Sequence, residues 1–204
     1  MITVLSGLAA GSLHVLSGPD HLAALAPMAA ADHGKATALG FRWGLGHGLG
    51  AAGLGILAIL GRGLIHVEDW SAGAEAIVGI ALVGLGLWSW HTTTQAAPVA
   101  TAGVAHGPHT PRAAFAFGML HGAAGTGHLL AVLPALALPT GHAAVYLAAY
   151  FLAAVASMTM FTAGLGRLSA RGSAAQIRQL VLAASAAAVV IGVWWLTASV
   201  ASAG

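Results

Sequence analysis

Six long apolar stretches, separated by short polar or charged segments, run along the chain. They cover roughly residues 2–30, 37–61, 71–91, 113–138, 142–166 and 177–199. Each supplies the about 20 apolar residues that a helix needs to cross the roughly 30 Å hydrocarbon core of a bilayer. The pattern therefore predicts an all-α integral membrane protein, with six transmembrane helices forming a single membrane domain over residues 1–204.

Composition agrees with this prediction and excludes several function classes. The chain is 58% hydrophobic and only 6% charged, whereas soluble proteins carry about 25% charged residues. It contains no cysteine, which excludes disulfides, thiolate metal sites and thiol redox relays. The net charge of +2 is spread over helix ends without a basic patch. The lipid bilayer is therefore an expected partner and nucleic acid is not.

The basic residues also predict an orientation. With the N-terminus outside, only Arg62 lies on the outer side of the membrane. The other basic residues fall in or beside cytoplasmic loops, and they are Lys35, Arg42, Arg112, Arg167, Arg171 and Arg178. Because cytoplasmic loops carry an excess of Lys and Arg, this distribution favours both termini outside.

The chain repeats itself around a pair of histidines. Residues 11–27 align without a gap on residues 118–134, and eight positions are identical in the two copies. An imidazole inside an apolar segment is costly to place, so such a residue is a candidate for function. The repeat therefore predicts a metal or ion site to which both copies contribute, through His14, His21, His121 and His128.

The position of the two copies predicts an inverted repeat. Each copy opens a group of three spans, and an odd number of crossings reverses the second group in the membrane. The expected architecture is a 3+3 inverted-topology repeat, with repeat 1 at 1–91, a His-containing cytoplasmic linker at 92–112 and repeat 2 at 113–204. The first and fourth helices are expected to be interrupted, at Ser17-Gly18-Pro19 and Gly125-Thr126-Gly127. Folds of this kind bind substrate near the midplane, on interrupted helices.

Helix geometry explains why the interruption matters. Residues seven apart on a straight helix stand about 10.5 Å apart along its axis, whereas a metal-bound nitrogen lies about 2.0–2.1 Å from the ion. His14 and His21 can therefore share an ion only if the helix breaks between them. Asp20 follows the break directly, and its role as a ligand or as a helix cap stays open.

A further imidazole makes the predicted site asymmetric. His47 lies in the second span, and its counterpart 107 residues later is Ala154. Asp20 likewise corresponds to Gly127. Neutral imidazoles with one carboxylate suit Ni(II), Co(II), Zn(II) or Cu(II), whereas Mg(II) and Ca(II) require several oxygens.

The remaining histidines and the tryptophans lie near predicted span ends. We expect interfacial positions for His33, His66 and His142, while a role in metal capture stays open for His91, His106 and His109. Tryptophans at span ends are typical of the aromatic belt at the membrane surface, which is the expectation for Trp43, Trp70, Trp88 and Trp90.

At His14, Asp20, His21 and His47 the chain resembles the NicO and nickel/cobalt transporter families, which are membrane permeases for divalent transition metals. Their hallmark is a His, a four-residue spacer and Asp-His in one transmembrane helix, followed by Leu-Gly-His in the next. Here five residues separate His14 from Asp20, and the second segment is Leu45-Gly46-His47. The acidic signatures that the longer, eight-helix permeases carry in their later helices are absent, so the chain looks more like the short, six-helix branch of the UreH type.

This resemblance implies a secondary permease that moves Ni(II), or alternatively Co(II), across the bacterial cytoplasmic membrane. The predicted inverted repeat adds alternating access around a midplane site, and we expect neither enzymatic activity nor a prosthetic group. Together with the repeat, the resemblance assigns the metal site to His14, Asp20, His21, His47, His121 and His128. Two alternatives stay open: a membrane-embedded metalloenzyme, and an accessory protein that passes nickel to urease or hydrogenase maturation proteins. A homo-oligomer also stays open.

Overall fold

The computed structural model describes residues 1–60, 67–95, 110–124, 134–135 and 137–202, without the side chains of 54–60, 67–75 and 200–202. Seven α-helices are bounded within these residues. They are α1 (Ile2–Ser17), α2 (Pro19–Ala31), α3 (Ala36–Leu60), α4 (Val67–Gln95), α5 (Pro111–Gly122), α6 (Thr140–Arg171) and α7 (Ala174–Ser202). The all-α class predicted from the sequence is confirmed.

The first apolar stretch is broken where the sequence predicts. α1 ends at Ser17 and α2 begins at Pro19, with the helices bent by 69° at Gly18. Proline lacks the N–H that would continue the helix, and its ring clashes with the carbonyl four residues earlier. Pro19 therefore occupies the first turn of a new helix, where its missing N–H costs nothing.

Three helical segments are long and apolar enough to cross a membrane, namely Ala76–Gln95, Thr140–Arg171 and Ala174–Ser199, and the bent pair α1 and α2 is a fourth candidate. Large apolar side chains point away from the protein on these helices, including Leu152, Met160, Val190 and Trp194. Exposed apolar faces of this extent indicate contact with lipid. The chain is therefore a membrane-associated protein.

Two pairs of helices run parallel and in close contact. Gly7 and Gly11 of α1 lie against the carbonyls of Tyr146 and Tyr150 of α6, so both chains advance in the same direction. On α3 and α5, Gly46 and Gly50 lie against Phe115 and Met119, while Gly118 and Gly122 lie against Trp43 and His47. Since small residues let backbones approach closely in lipid, both interfaces are of the small-xxx-small type.

Other helix pairs run antiparallel. On α4 and α7, Gly79 faces Gly192 and Gly86 faces Ser185. On α3 and α6, Gly40 faces Thr162, whereas Gly48 faces Phe151. α3 therefore packs on α5 along one face and on α6 along another, which places its middle at the centre of the described helices.

Two details differ from the sequence-based expectations. α4 continues to Gln95, so residues 92–95 of the expected linker are helical, and the hydroxyls of Thr92 and Thr94 hydrogen-bond to carbonyls of the preceding turn. Trp43 is not in an aromatic belt: it is buried in the core and stacked on Phe117, with ring centroids 6.4 Å apart. The predicted second break, at residues 125–127, lies outside the described residues.

Candidate metal centre

The break at Gly18 brings the two histidines of the first copy together. The ring centroids of His14 and His21 are 4.9 Å apart, about half the separation that a straight helix would impose. Gly18 is essential to this approach, because a Cβ there would overlap Nδ1 of His21 and lie 2.9 Å from Oδ1 of Asp20. The glycine therefore allows the ring of His21 to fold back onto the break.

Two more imidazoles enter from α3 and α5. The ring centroid of His47 lies 5.5 Å from that of His14 and 4.9 Å from that of His21. His121 lies 4.6 Å from His21 by the same measure. Gly122 explains this placement, since it lets α5 approach the backbone carbonyl of His47. Four imidazoles from α1, α2, α3 and α5 are thus gathered in one cluster.

Asp20 connects two of these imidazoles. Its Oδ1 is hydrogen-bonded to Nδ1 of His21 at 3.1 Å, and its Oδ2 lies 3.0 Å from Nε2 of His121. The interpretation of Asp20 as a helix cap is wrong, since Gly18 is the N-cap of α2 and no side chain caps it. The carboxylate of Asp20 instead contacts the imidazoles of His21 and His121.

The carboxylate and three of the four imidazoles in this cluster are almost fully buried, so the charge of Asp20 needs compensation within the protein. Asp20 is 6% exposed, while His21, His47 and His121 are 2%, 1% and 2% exposed. A carboxylate removed from water requires compensating positive charge and hydrogen bonds. With neutral imidazoles the cluster carries one negative charge, which a divalent cation would offset.

The donor atoms fall into two overlapping groups. One consists of His14, His21 and His47, and the other of Asp20, His21 and His121, with one ligand atom from each residue within 4.8 Å of the others. Metal–nitrogen bonds of about 2.0–2.1 Å place donors on opposite sides of an ion about 4 Å apart. Small side-chain rotations would therefore bring either group into bonding range.

The cluster has an apolar end and a more open end. His121 is flanked by the rings of Trp43 and Trp195, at centroid distances of 6.1 and 6.0 Å. A mostly apolar cavity behind it is lined by Leu82 and Phe117, among others. His14, by contrast, is only half-buried, and its ring lies 5.8 Å from that of Tyr150. The His14 side of the cluster is therefore less tightly enclosed than the His121 side.

Five of the six residues predicted for the site meet in this cluster: His14, Asp20, His21, His47 and His121. His128 lies outside the described residues. His33 and His142 are exposed at helix ends, as expected, and His91 is exposed on α4. His66, His106 and His109 fall outside the described part of the chain. Metal binding by the five gathered residues remains a prediction.

Sequence reasoning missed the aromatic partners of the cluster. The sequence pattern gives no role to Tyr150, and it predicts Trp43 in the aromatic belt at the membrane surface. A signal was available, because Tyr150 is the residue 107 positions after Trp43. Extending the repeat alignment beyond residue 27 would have paired these two aromatic residues.

Fold and site together define a membrane-associated helical protein with a buried His/Asp cluster at a broken helix. The chain is 33% identical over 175 residues to Chloroplast protein FOR GROWTH AND FERTILITY 2 of Arabidopsis thaliana, covering 80% of this chain and 47% of that protein. It is 35% identical over 181 residues to Chloroplast protein FOR GROWTH AND FERTILITY 1 of the same plant, covering 80% and 49%.

The chain thus spans about half the length of the curated relatives it matches. No family model matches it, and no solved structure does. The names of the two plant relatives state a chloroplast protein and mention no ligand or reaction.

Proposed function

We propose that this protein is a permease for a divalent transition-metal ion, nickel or cobalt. The observation that carries the proposal is the buried cluster of four imidazoles and one carboxylate at the break between α1 and α2. Ionisable residues inside membrane-spanning helices are rare and mark substrate or ion pathways. An interrupted helix is also where many secondary transporters bind their ions.

The donor set supports a borderline metal. Imidazole nitrogen suits Ni, Co, Cu and Zn ions, and a single carboxylate supplies too few oxygens for Ca(II) or Mg(II). The buried charge of Asp20 favours a cation over a neutral solute. Nickel and cobalt are selected among these metals by the resemblance of His14, Asp20, His21 and His47 to the NicO and nickel/cobalt transporters.

The permease would be a six-span inverted repeat, and two pairs of contacts support this arrangement. Gly11 lies against the backbone carbonyl of Tyr150, and Gly118 lies against the backbone carbonyl of Trp43. Gly118 is 107 residues after Gly11, and Trp43 is 107 residues before Tyr150, so the second contact is the repeat equivalent of the first. The ring of His14 contacts Tyr150 as that of His121 contacts Trp43, at 5.8 and 6.1 Å. Exchanging the two halves turns one set of contacts into the other, as a two-fold relation between them requires.

Transport would proceed by alternating access around this cluster, as in other transporters that bind their ions on interrupted helices. The resemblance implies the bacterial cytoplasmic membrane, and the distribution of basic residues favours both termini outside. The two relatives are named as chloroplast proteins, so the location rests on the resemblance and on the distribution of basic residues.

The test is uptake of radioactive nickel into proteoliposomes that contain only this protein. Wild-type vesicles should accumulate nickel over time, and excess unlabelled cobalt should compete. His21→Ala should abolish uptake, because His21 belongs to both groups of donors. His142→Ala is the matched control, since that residue is exposed and lies outside the cluster. Wild-type vesicles that accumulate no more metal than empty ones would overturn the proposal.

A further inference from the structure

The two oxygens of Asp20 are both directed at protein atoms. Oδ1 is 3.1 Å from Nδ1 of His21 and Oδ2 is 3.0 Å from Nε2 of His121. The two imidazoles come from different halves of the chain, so the carboxylate bridges α2 and α5. Both oxygens of Asp20 are therefore already engaged with imidazole nitrogens, rather than directed into an open cavity where an ion would bind.

The hydrogen bond between Nδ1 of His21 and Oδ1 of Asp20 determines which nitrogen of His21 can bind a metal. A neutral imidazole carries one N–H, and the nitrogen without hydrogen is the metal donor. If Nδ1–H donates to Asp20, Nε2 is left as the donor atom of His21. Metal-bound histidines commonly make this kind of hydrogen bond to a carboxylate, which orients the ring and raises its basicity.

We propose that Asp20 is a positioning residue and that the ion is held by His14, His21 and His47. This inference rests on the proposed metal site and divides its residues into two roles. The three imidazoles form one of the two donor groups within 4.8 Å. Asp20 holds His21 in the binding tautomer and places a negative charge next to the ion. His121, packed between Trp43 and Trp195, holds the far oxygen of Asp20.

Direct ligation by Asp20 would compete with its present contacts. An oxygen of the carboxylate would have to be shared between the ion and His21 or His121, both of which are buried, and weakening the hydrogen bond of a buried donor is costly. The arrangement with three imidazoles on the ion keeps both contacts in place. His14, the half-buried member, then completes the ligand set on its less enclosed side.

The test uses Co(II), whose visible absorption reports the number and geometry of its ligands, with the full-length protein in lipid nanodiscs. Asp20→Asn should weaken Co(II) binding by about 10- to 100-fold, the range found for the outer partners of metal ligands. At saturating metal its Co(II) spectrum should match that of the wild type. His47→Ala should weaken binding more strongly and change the spectrum.

Asp32→Asn is the matched control, because that carboxylate pairs with Lys35 at the end of α2, outside the cluster. If Asp20→Asn does not fold, His121→Gln tests the same contact, and it should likewise lower affinity without changing the spectrum. A spectrum altered by Asp20→Asn as it is by His47→Ala would overturn the inference, and so would unchanged affinity.

These outcomes can be told apart from failure of the proposed function. Wild-type protein that binds Co(II) with the expected pattern of variants but transports nothing would refute the permease and leave the role of Asp20 supported. Wild-type protein that binds no Co(II) or Ni(II) would overturn both.

Discussion

The packing of α1 on α6 and that of α5 on α3 are built alike, but they support different chemistry. In each interface a glycine meets a backbone carbonyl of an aromatic residue, Tyr150 for Gly11 and Trp43 for Gly118. In each, a histidine three residues after the glycine contacts that same aromatic ring. The break after His14 leads to a carboxylate, Asp20, whereas the residue that corresponds to Asp20 in the second copy is Gly127.

The difference indicates that packing and chemistry follow separate requirements. Close packing in lipid needs small residues at fixed intervals, and both halves provide them. Ion binding needs a particular set of donors, and Asp20 and His47 occur only in the first half, opposite Gly127 and Ala154 in the repeat. The second half therefore provides a matching glycine contact and contributes His121 to a cluster whose other described members belong to the first half.

The largest expected effect separates the two equivalent histidines. His14→Ala should lower metal affinity by more than about 100-fold, because it removes a proposed ligand. His121→Ala should lower it less, by about 10- to 100-fold, because it removes only the support of Asp20. Calorimetric titration of nickel into the protein in nanodiscs measures both, with the exposed His33→Ala as control. Equal losses would mean that the two histidines have equal roles.

The sequence was sufficient to predict the helical class, the break and the five His and Asp residues that the described structure gathers. Apolar length predicts six spans, of which the described residues show three and the bent pair α1 and α2 as a fourth candidate. Gly18-Pro19 predicts the break because proline cannot continue a helix. The repeat predicts His14, His21, His121 and His128 as a set; the first three lie in the cluster, and His128 lies outside the described residues.

The contacts between residues distant in the chain could not be predicted in the same way. That Asp20 bridges His21 and His121 depends on how closely α5 approaches α3, which Gly118 and Gly122 permit but do not by themselves specify. Trp43 was misplaced for a related reason. A tryptophan near the start of a helix suits the membrane surface unless a neighbouring helix covers it, and α5 covers this one.

An intermediate effect is expected for the two glycines that the interfaces share. An added Cβ at Gly11 or Gly118 would overlap a backbone carbonyl, and backbone cannot move aside as a flexible side chain can. Gly11→Ala and Gly118→Ala should each destabilise the folded protein by about 1–3 kcal/mol. Thermal unfolding in detergent measures the change. Gly164→Ala is the control on α6, since its Cβ would meet nothing within 4 Å. Destabilisation by only one of the pair would show that the interfaces are not equivalent.

The smallest effect is expected at the two aromatic rings. Tyr150→Phe keeps the ring that contacts His14, so nickel affinity should stay within about 2-fold of the wild type if the ring contributes packing alone. Trp43→Phe should be similarly mild for binding, because Nε1 of Trp43 has no hydrogen-bond partner among the described residues and its removal leaves no acceptor unpaired. Each variant is compared with the wild type by the same calorimetric titration. A 10-fold loss for Tyr150→Phe alone would mean that its hydroxyl reaches the ion from the His14 end, which would give the first half one more polar group than the second and widen the asymmetry between them.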